Sequence, residues 1–314
     1  MYAHGIMFHH FHDDKQHTKS QGSISAEDLD NLLKFIGLKN ILPANEFYQR
    51  ALTNNLKAHD ICLTFDDNLK CQYDIALTVL ESYGLTAFWF IYTSPLEGVS
   101  ERLELYRYFR HNYFDSMDDF YAHFENFVSQ SEYKAKIIHG LKFYKPSDYL
   151  KEFPFYTKGD KVFRYIRDEL LNQTQYYEIM DKMMQKYKFN LETLNKELWM
   201  NKDCIKSLNE KGNIIGLHSH THPTSIDKLS FAEQAKEYIH NNDILRNILG
   251  ENIYSVSYPC NSFNTNTFRI MKNLGVKIGF RANMKYSLNN YEIPRLDHSI
   301  IFKELQDEDN CIYK

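Results

Sequence analysis

DICLTFDDNLKCQYDIALTVLESYGLTAFWFIY, residues Asp60–Tyr92, sets the fold class. The apolar run Asp60–Phe65 ends abruptly in two carboxylates, Asp66 and Asp67, as a strand does when its C-terminal end opens onto a site. From Lys70 to Tyr83 the apolar positions Tyr73, Leu77, Leu80 and Tyr83 recur at helical spacing, and Gly84 stops the helix before a second strand, LTAFWFIY. Strand, helix, strand in that order is the unit of a parallel sheet. Upstream, Gly5–Phe11 is another short apolar run that ends in polar residues. Downstream, IIGLHSH predicts a strand, LSFAEQAKEYIHNNDILRNILG a helix closed by Gly250, NIYSVSYP a strand, NTFRIMKNLG a helix and VKIGFRA a strand.

Residues from about 95 to about 208 read differently. Tyr, Phe, Lys, Asp, Glu and Asn dominate, β-branched runs are few, and blocks such as Lys161–Lys188 keep apolar residues at helical intervals. The expectation is one α/β domain over residues 1–314 that carries a large, mostly helical insertion over about 95–208. Its parallel sheet is open or closed into a barrel.

The chain is 43% hydrophobic and 25% charged with few Gly and Pro, a balance that supports a sizeable buried core and argues against disorder. Its net charge of -4 gives no overall basic field, so nucleic acid and anionic membranes are disfavoured as partners. No run reaches the 18 or so apolar residues that span a bilayer, so no integral membrane segment is expected. Met1–His12 lacks a basic start followed by a long apolar stretch, which predicts a cytoplasmic protein. Five cysteines, an odd number with no Cys-x-x-Cys, read as free thiols.

Two constellations carry chemistry. In Thr64-Phe65-Asp66-Asp67, neighbours leaving a strand point in different directions, so one carboxylate can bind a metal while the other faces a reacting water. A helix cap or a solvated turn is the commoner use of an Asp pair. In His218-Ser219-His220-Thr221-His222-Pro223, His218 and His222 stand four apart and can aim at one ion, since neutral imidazole suits zinc and its neighbours. The alternatives are a satisfied surface histidine cluster or an adventitious metal site, and His220, between the two proposed ligands, reads as structural. Two histidines and one carboxylate would leave open positions on a metal, as a hydrolytic site needs.

With both motifs in view, the sequence resembles the polysaccharide deacetylase family, whose members carry a TFDD-type motif followed by H-S/T-x-x-H. The resemblance implies a deformed (β/α) barrel and a metal-dependent N-deacetylase. It makes Asp66 the general base, Asp67, His218 and His222 the metal ligands, and Ser219 a residue that steadies the histidine loop. Ser257-Tyr258-Pro259-Cys260-Asn261 occupies the place of a third motif, and the backbone N–H near Cys260 would stabilise the oxyanion. Ser257 stands where many members have an Arg that orients the catalytic Asp, and Arg295 is the candidate replacement, because a guanidinium can fork onto a carboxylate. The alternative for Arg295 is a surface ion pair. Asn68 replaces a usual Gly and tolerates a left-handed turn. His298, with Asp297 before it, lies where the family places its acid histidine. His9 and His10, at the end of the first strand, are rivals for acid catalysis or substrate contact, and Tyr258 is a further candidate contact.

The substrate so implied is an N-acylated amino sugar. The expected cytoplasmic location favours a nucleotide- or lipid-linked precursor of surface-glycan assembly. The expected cofactor is a divalent metal, Zn2+ first, with Co2+, Ni2+, Mn2+ and Fe2+ also suited to the donor set. The insertion is expected to shape the pocket or a homo-oligomer interface. Its aromatic residues can stack on sugars or form the core of a helical subdomain. A metal-dependent amidase acting on a non-sugar amide and a catalytically silent glycan-binding protein are the competing readings.

Overall fold

The computed structural model describes residues 2–99, 101–150, 156–189 and 197–306. The chain divides into two compact units, Met1–Ser100 with Thr193–Lys314, and Glu101–Glu192.

The first unit is a parallel sheet of seven strands: β1 His4–Phe8, β2 Ile61–Phe65, β3 Phe88–Ile91, β4 Ile214–Leu217, β5 Ser255–Ser257, β6 Ile278–Phe280 and β7 Arg295–Asp297. Their order is β6-β5-β4-β3-β2-β1-β7, and every pairing is parallel. The edges nearly meet. Ile293 donates to Gly279 O at 2.8 Å and Arg281 donates to Ile293 O at 3.0 Å, so the segment just before β7 bridges to β6 and nearly closes a barrel. The fold is thus the deformed (β/α) barrel that the resemblance implies.

Strand alternation explains the two cores of this unit. On one face, Leu63, Phe65, Ile6, Phe8, Trp89 and Ile91 pack under helices. On the other, Cys62, Phe88, Phe90, Ile278 and Phe280 cluster with Phe47 of the helix Ala44–Leu52. With both faces covered, β1 and β2 are fully buried, which is why they read as unbroken apolar runs. Amphipathic helices supply the cover: Ala26–Ile36 buries Leu29, Leu32, Leu33 and Ile36, and Phe231–Leu249 begins with a Ser230/Glu233 capping box and ends at left-handed Gly250.

The second unit is helical. Helices Arg102–Asn112, Met117–Gln130, Lys134–Leu141, Lys158–Tyr165 and Gln173–Lys186 bury Tyr106, Phe109, Phe120, Phe124, Phe163 and Met180 in a core of their own. Its limits are narrower than the expected 95–208. The helix Lys202–Glu210 places Cys204, Ile205 and Leu208 in the core beneath the sheet, so it belongs to the barrel.

Candidate active site

Because all strands run parallel, their C-terminal ends share one rim. Polar residues gather there in left-handed backbone. Asp67 (φ 80) and Asn68 (φ 56) follow β2, Ser219 (φ 62) and His222 (φ 56) follow β4, and Cys260 (φ 50) and Asn261 (φ 57) follow β5. Left-handed non-glycine residues cost energy and persist where the surroundings fix them, typically at functional sites.

Asp66 still belongs to the sheet, its N–H donating to Phe8 O at 3.2 Å. Alternation therefore puts its side chain on the face of Cys62 and Thr64. There Arg295 grips it: Nη1 donates to Asp66 Oδ1 at 2.7 Å and Nη2 to Oδ2 at 2.7 Å. The other three N–H groups of the guanidinium reach Thr64 Oγ1 (3.1 Å), Ser257 Oγ (2.7 Å) and Arg281 O (2.9 Å). All five donors are used, which makes a buried charge tolerable. Ser257 Oγ in turn donates to Asp66 Oδ2 at 3.1 Å. Gly5 leaves close room for this fork, since a Cβ there would stand 3.1 Å from Arg295 Cγ and from Thr64 Cγ2. Burial alone would raise the Asp66 carboxyl, but Arg295, then His218, outweigh it and hold the carboxyl below its usual value.

Asp67, one residue on, turns out of the strand and faces imidazoles instead. Its Oδ1 lies 3.3 Å from His218 Nε2 and 3.3 Å from His222 Nε2, and the three ligand-type atoms lie within 4.8 Å of one another. His218 Nδ1 is 2.9 Å from Ser257 O, an acceptor, so Nδ1 carries the proton and the Nε2 lone pair faces Asp67. Ser219 Oγ accepts from His222 N at 3.1 Å and fixes the turn between the two histidines. Asp67 Oδ1 is buried without a hydrogen-bond partner. An orphaned carboxylate oxygen facing an imidazole lone pair is unfavourable by itself and is what a divalent cation would resolve, so the donor set fits a metal.

The remaining predicted residues divide. His9 reaches the site, with Nε2 3.9 Å from Asp67 Oδ2 and about a quarter of its side chain exposed. The half-buried His10 follows it, the rings stacked with centroids 6.3 Å apart. His298 opens the helix His298–Gln306 and is buried against Phe8, with Nδ1 3.2 Å from Met7 O and Nε2 3.2 Å from Gly22 O. Burial, outweighing the charge of Asp297, pushes its imidazole below the usual value. Asp297 Oδ1 lies 3.7 Å from His298 Nδ1 and accepts from Ser299. Cys260 is exposed in the turn Pro259–Asn261. Tyr258 requires a correction. It is 1% exposed and packs against Phe263 at 4.6 Å, turned into the core, because alternation along β5 points Ser257 at Asp66 and its neighbour the other way.

Sequence reasoning missed Gln72 and Asn241. Gln72 Nε2 donates to the carbonyls of His9 (2.7 Å) and Asp66 (2.6 Å), tying two strand ends together. Asn241 Oδ1 accepts from His218 N at 3.0 Å. Both are polar positions on helix faces otherwise turned to the core, and that was their only signal.

Residues 168–279 match the family model described as polysaccharide deacetylase, a span that includes His218, His222 and the β5 turn. No curated protein matches the chain. Among solved structures, the chain is similar to the Streptococcus pyogenes deacetylase PplD in complex with acetate, at 15% identity and TM-score 0.56, covering 95% of this chain and 92% of that one. It is similar also to IcaB from Ammonifex degensii (12%, TM-score 0.55, 97% of each chain) and to a de-N-acetylase from Aggregatibacter actinomycetemcomitans (12%, TM-score 0.56, 96% and 99%). The resemblance to polysaccharide deacetylases read from the motifs is thereby borne out, and at these identities the solved structures establish the fold.

Proposed function

We propose that this chain, a barrel of the polysaccharide deacetylase type, is a metal-dependent hydrolase that removes an N-acetyl group from an amino sugar. One observation carries the reading: two adjacent carboxylates on one rim are held for different tasks, Asp67 facing two imidazoles and Asp66 clamped by Arg295. Asp67, His218 and His222 would hold the ion, which when bound supplies Lewis acidity toward water and toward an amide carbonyl.

The chain's own groups do the rest. Asp66 is kept ionised and oriented by the guanidinium. Its Oδ2 accepts two hydrogen bonds and its Oδ1 one, leaving Oδ1 the oxygen free to take a proton from the attacking water. The N–H of Cys260, at the β5 turn, is assigned to the developing oxyanion. Protonation of the leaving nitrogen falls to His9 or His298. His9 is favoured, because it is partly exposed and near Asp67, whereas His298 would first have to leave two carbonyls. Acetate, present in the complex of the structurally similar PplD, is the product this reaction would release.

The test is acetate release from free, nucleotide-linked, lipid-linked and oligomeric N-acetyl amino sugars by protein stripped with chelator and reloaded with zinc or cobalt. Release restored by metal is expected, and the member of the panel that reacts fastest identifies the substrate class. Silence across the panel in protein that takes up metal would overturn the deacetylase reading and leave amide hydrolysis or glycan binding.

A further inference from the structure

His220 stands between two of the assigned ligands but contacts a different set of residues. Its Nδ1 is 3.0 Å from Thr93 Oγ1, which leaves Nε2 to face Glu97 Oε2 at 3.7 Å. The same carboxylate oxygen lies 2.8 Å from His240 Nε2, and the rings of His220 and His240 meet edge to face with centroids 4.2 Å apart. One ligand-type atom from each of the three side chains lies within 4.8 Å of the others.

The three residues come from three segments. Glu97 ends the turn Ser94–Glu97 after β3, His220 is on the loop after β4, and His240 is on the helix Phe231–Leu249. Their backbones are fixed around the cluster. Ser94 N donates to His220 O at 2.9 Å, and Glu237 Oε2 accepts from the N–H groups of His220 (3.0 Å) and Thr221 (2.8 Å). Glu237, His240 and Asn241 sit at i, i+3 and i+4 of one helix face, and Asn241 also holds His218 N. An exposed Glu–His pair alone contributes about 0–1 kcal/mol and gives no reason for a second imidazole on the same oxygen.

We propose that Glu97, His220 and His240 form a second site for a divalent metal of the zinc class. Two imidazoles and a carboxylate are a donor set that zinc, nickel and copper accept, with solvent completing the coordination on the open side. Glu97 and His240, each nearly half exposed, have room to rotate onto an ion, while the more buried His220 is the fixed ligand. Occupancy would pin the middle of the segment whose ends, His218 and His222, belong to the Asp67 site. The inference does not rest on the deacetylase reading.

The test is metal stoichiometry of the full-length protein, stripped and then dialysed against zinc buffered at low micromolar concentration, with bound metal measured by atomic absorption. One equivalent is expected to disappear in His240→Ala and in Glu97→Gln and to persist in His222→Ala. Cobalt substitution should show the same equivalent as a visible absorption band that is lost in the first two variants only. Glu97→Gln, at an exposed position, decides the matter should His240→Ala fold poorly. The proposal is overturned if no equivalent follows that pattern, or if it fills only at millimolar zinc.

Discussion

The rim of the barrel and the helical unit Glu101–Glu192 both bury polar groups, but they use them differently. On the rim, Thr64, Asp66, Ser257 and Arg295 are buried and bonded to one another across β2, β5 and β7, far apart in sequence. Among the described residues of the helical unit the buried carboxylate is Asp160, which caps its own helix through Thr157 and bonds to the Tyr121 hydroxyl. Polar burial that serves a local cap is ordinary fold maintenance. Polar burial that converges from distant strands on an open edge has no such local use and marks chemistry.

The largest expected effect is at the ligands. His222→Ala should lose the Asp67-site metal and turnover together, as read by metal analysis and acetate release, because only Asp67 and His218 of the assigned ligands remain and His9 faces the other Asp67 oxygen, Oδ2, at 3.9 Å. Retained metal at that site would break the assignment. Next comes Asp66→Asn, isosteric and able to keep some of the clamp. It should lower kcat by about 10²–10⁴-fold, the usual worth of a general base, with metal content unchanged. Loss of metal in this variant would merge the two carboxylates into one task.

Arg295→Met tests positioning. Removing the guanidinium leaves Asp66 buried and unpaired, a change that costs about 3–5 kcal/mol in comparable pairs. It also removes the main group holding the Asp66 carboxyl low, so the acid limb of the kcat/KM profile should move to higher pH, which a merely structural residue would not cause. The stability has a definite sign. A carboxyl depressed in the folded state contributes stability that is fully present above its unfolded value, near 3.8, and is lost as pH falls through the folded value. Wild-type unfolding free energy should therefore decline on acidification below that range, and Asp66→Asn should flatten the decline.

Much of this was legible because buried parallel strands and amphipathic helices announce themselves. ICLTF followed by two aspartates, and IIGL followed by histidines, place both halves of the site on strand ends by pattern alone. What escaped has physical reasons. β7 is Arg295-Leu296-Asp297, charged at both ends because its inward Arg serves Asp66, so no apolar run betrays it. Tyr258 misled because β5 has only three residues, too few to fix by pattern which face each side chain takes. Gln72 and Asn241 lie on helices, and their value comes from the loops they happen to meet.

The smallest expected effect lies in the helical unit. Thr157 Oγ1 accepts from Asp160 N at 3.1 Å, and Asp160 Oδ2 accepts from Thr157 N at 3.0 Å, a reciprocal cap at the start of Lys158–Tyr165. Thr157→Ala removes the side-chain half, and such losses cost about 0.5–2 kcal/mol. Phe163, one turn further on, remains packed against Phe124 at 4.9 Å and Phe120 at 5.3 Å, so the helix should loosen at its first turn without leaving the core. A small drop in melting temperature with unchanged metal content and kcat is the expected result. A tenfold fall in kcat at full metal occupancy would mean that this unit takes part in turnover, and the contrast between a chemical rim and a structural helical unit would no longer hold.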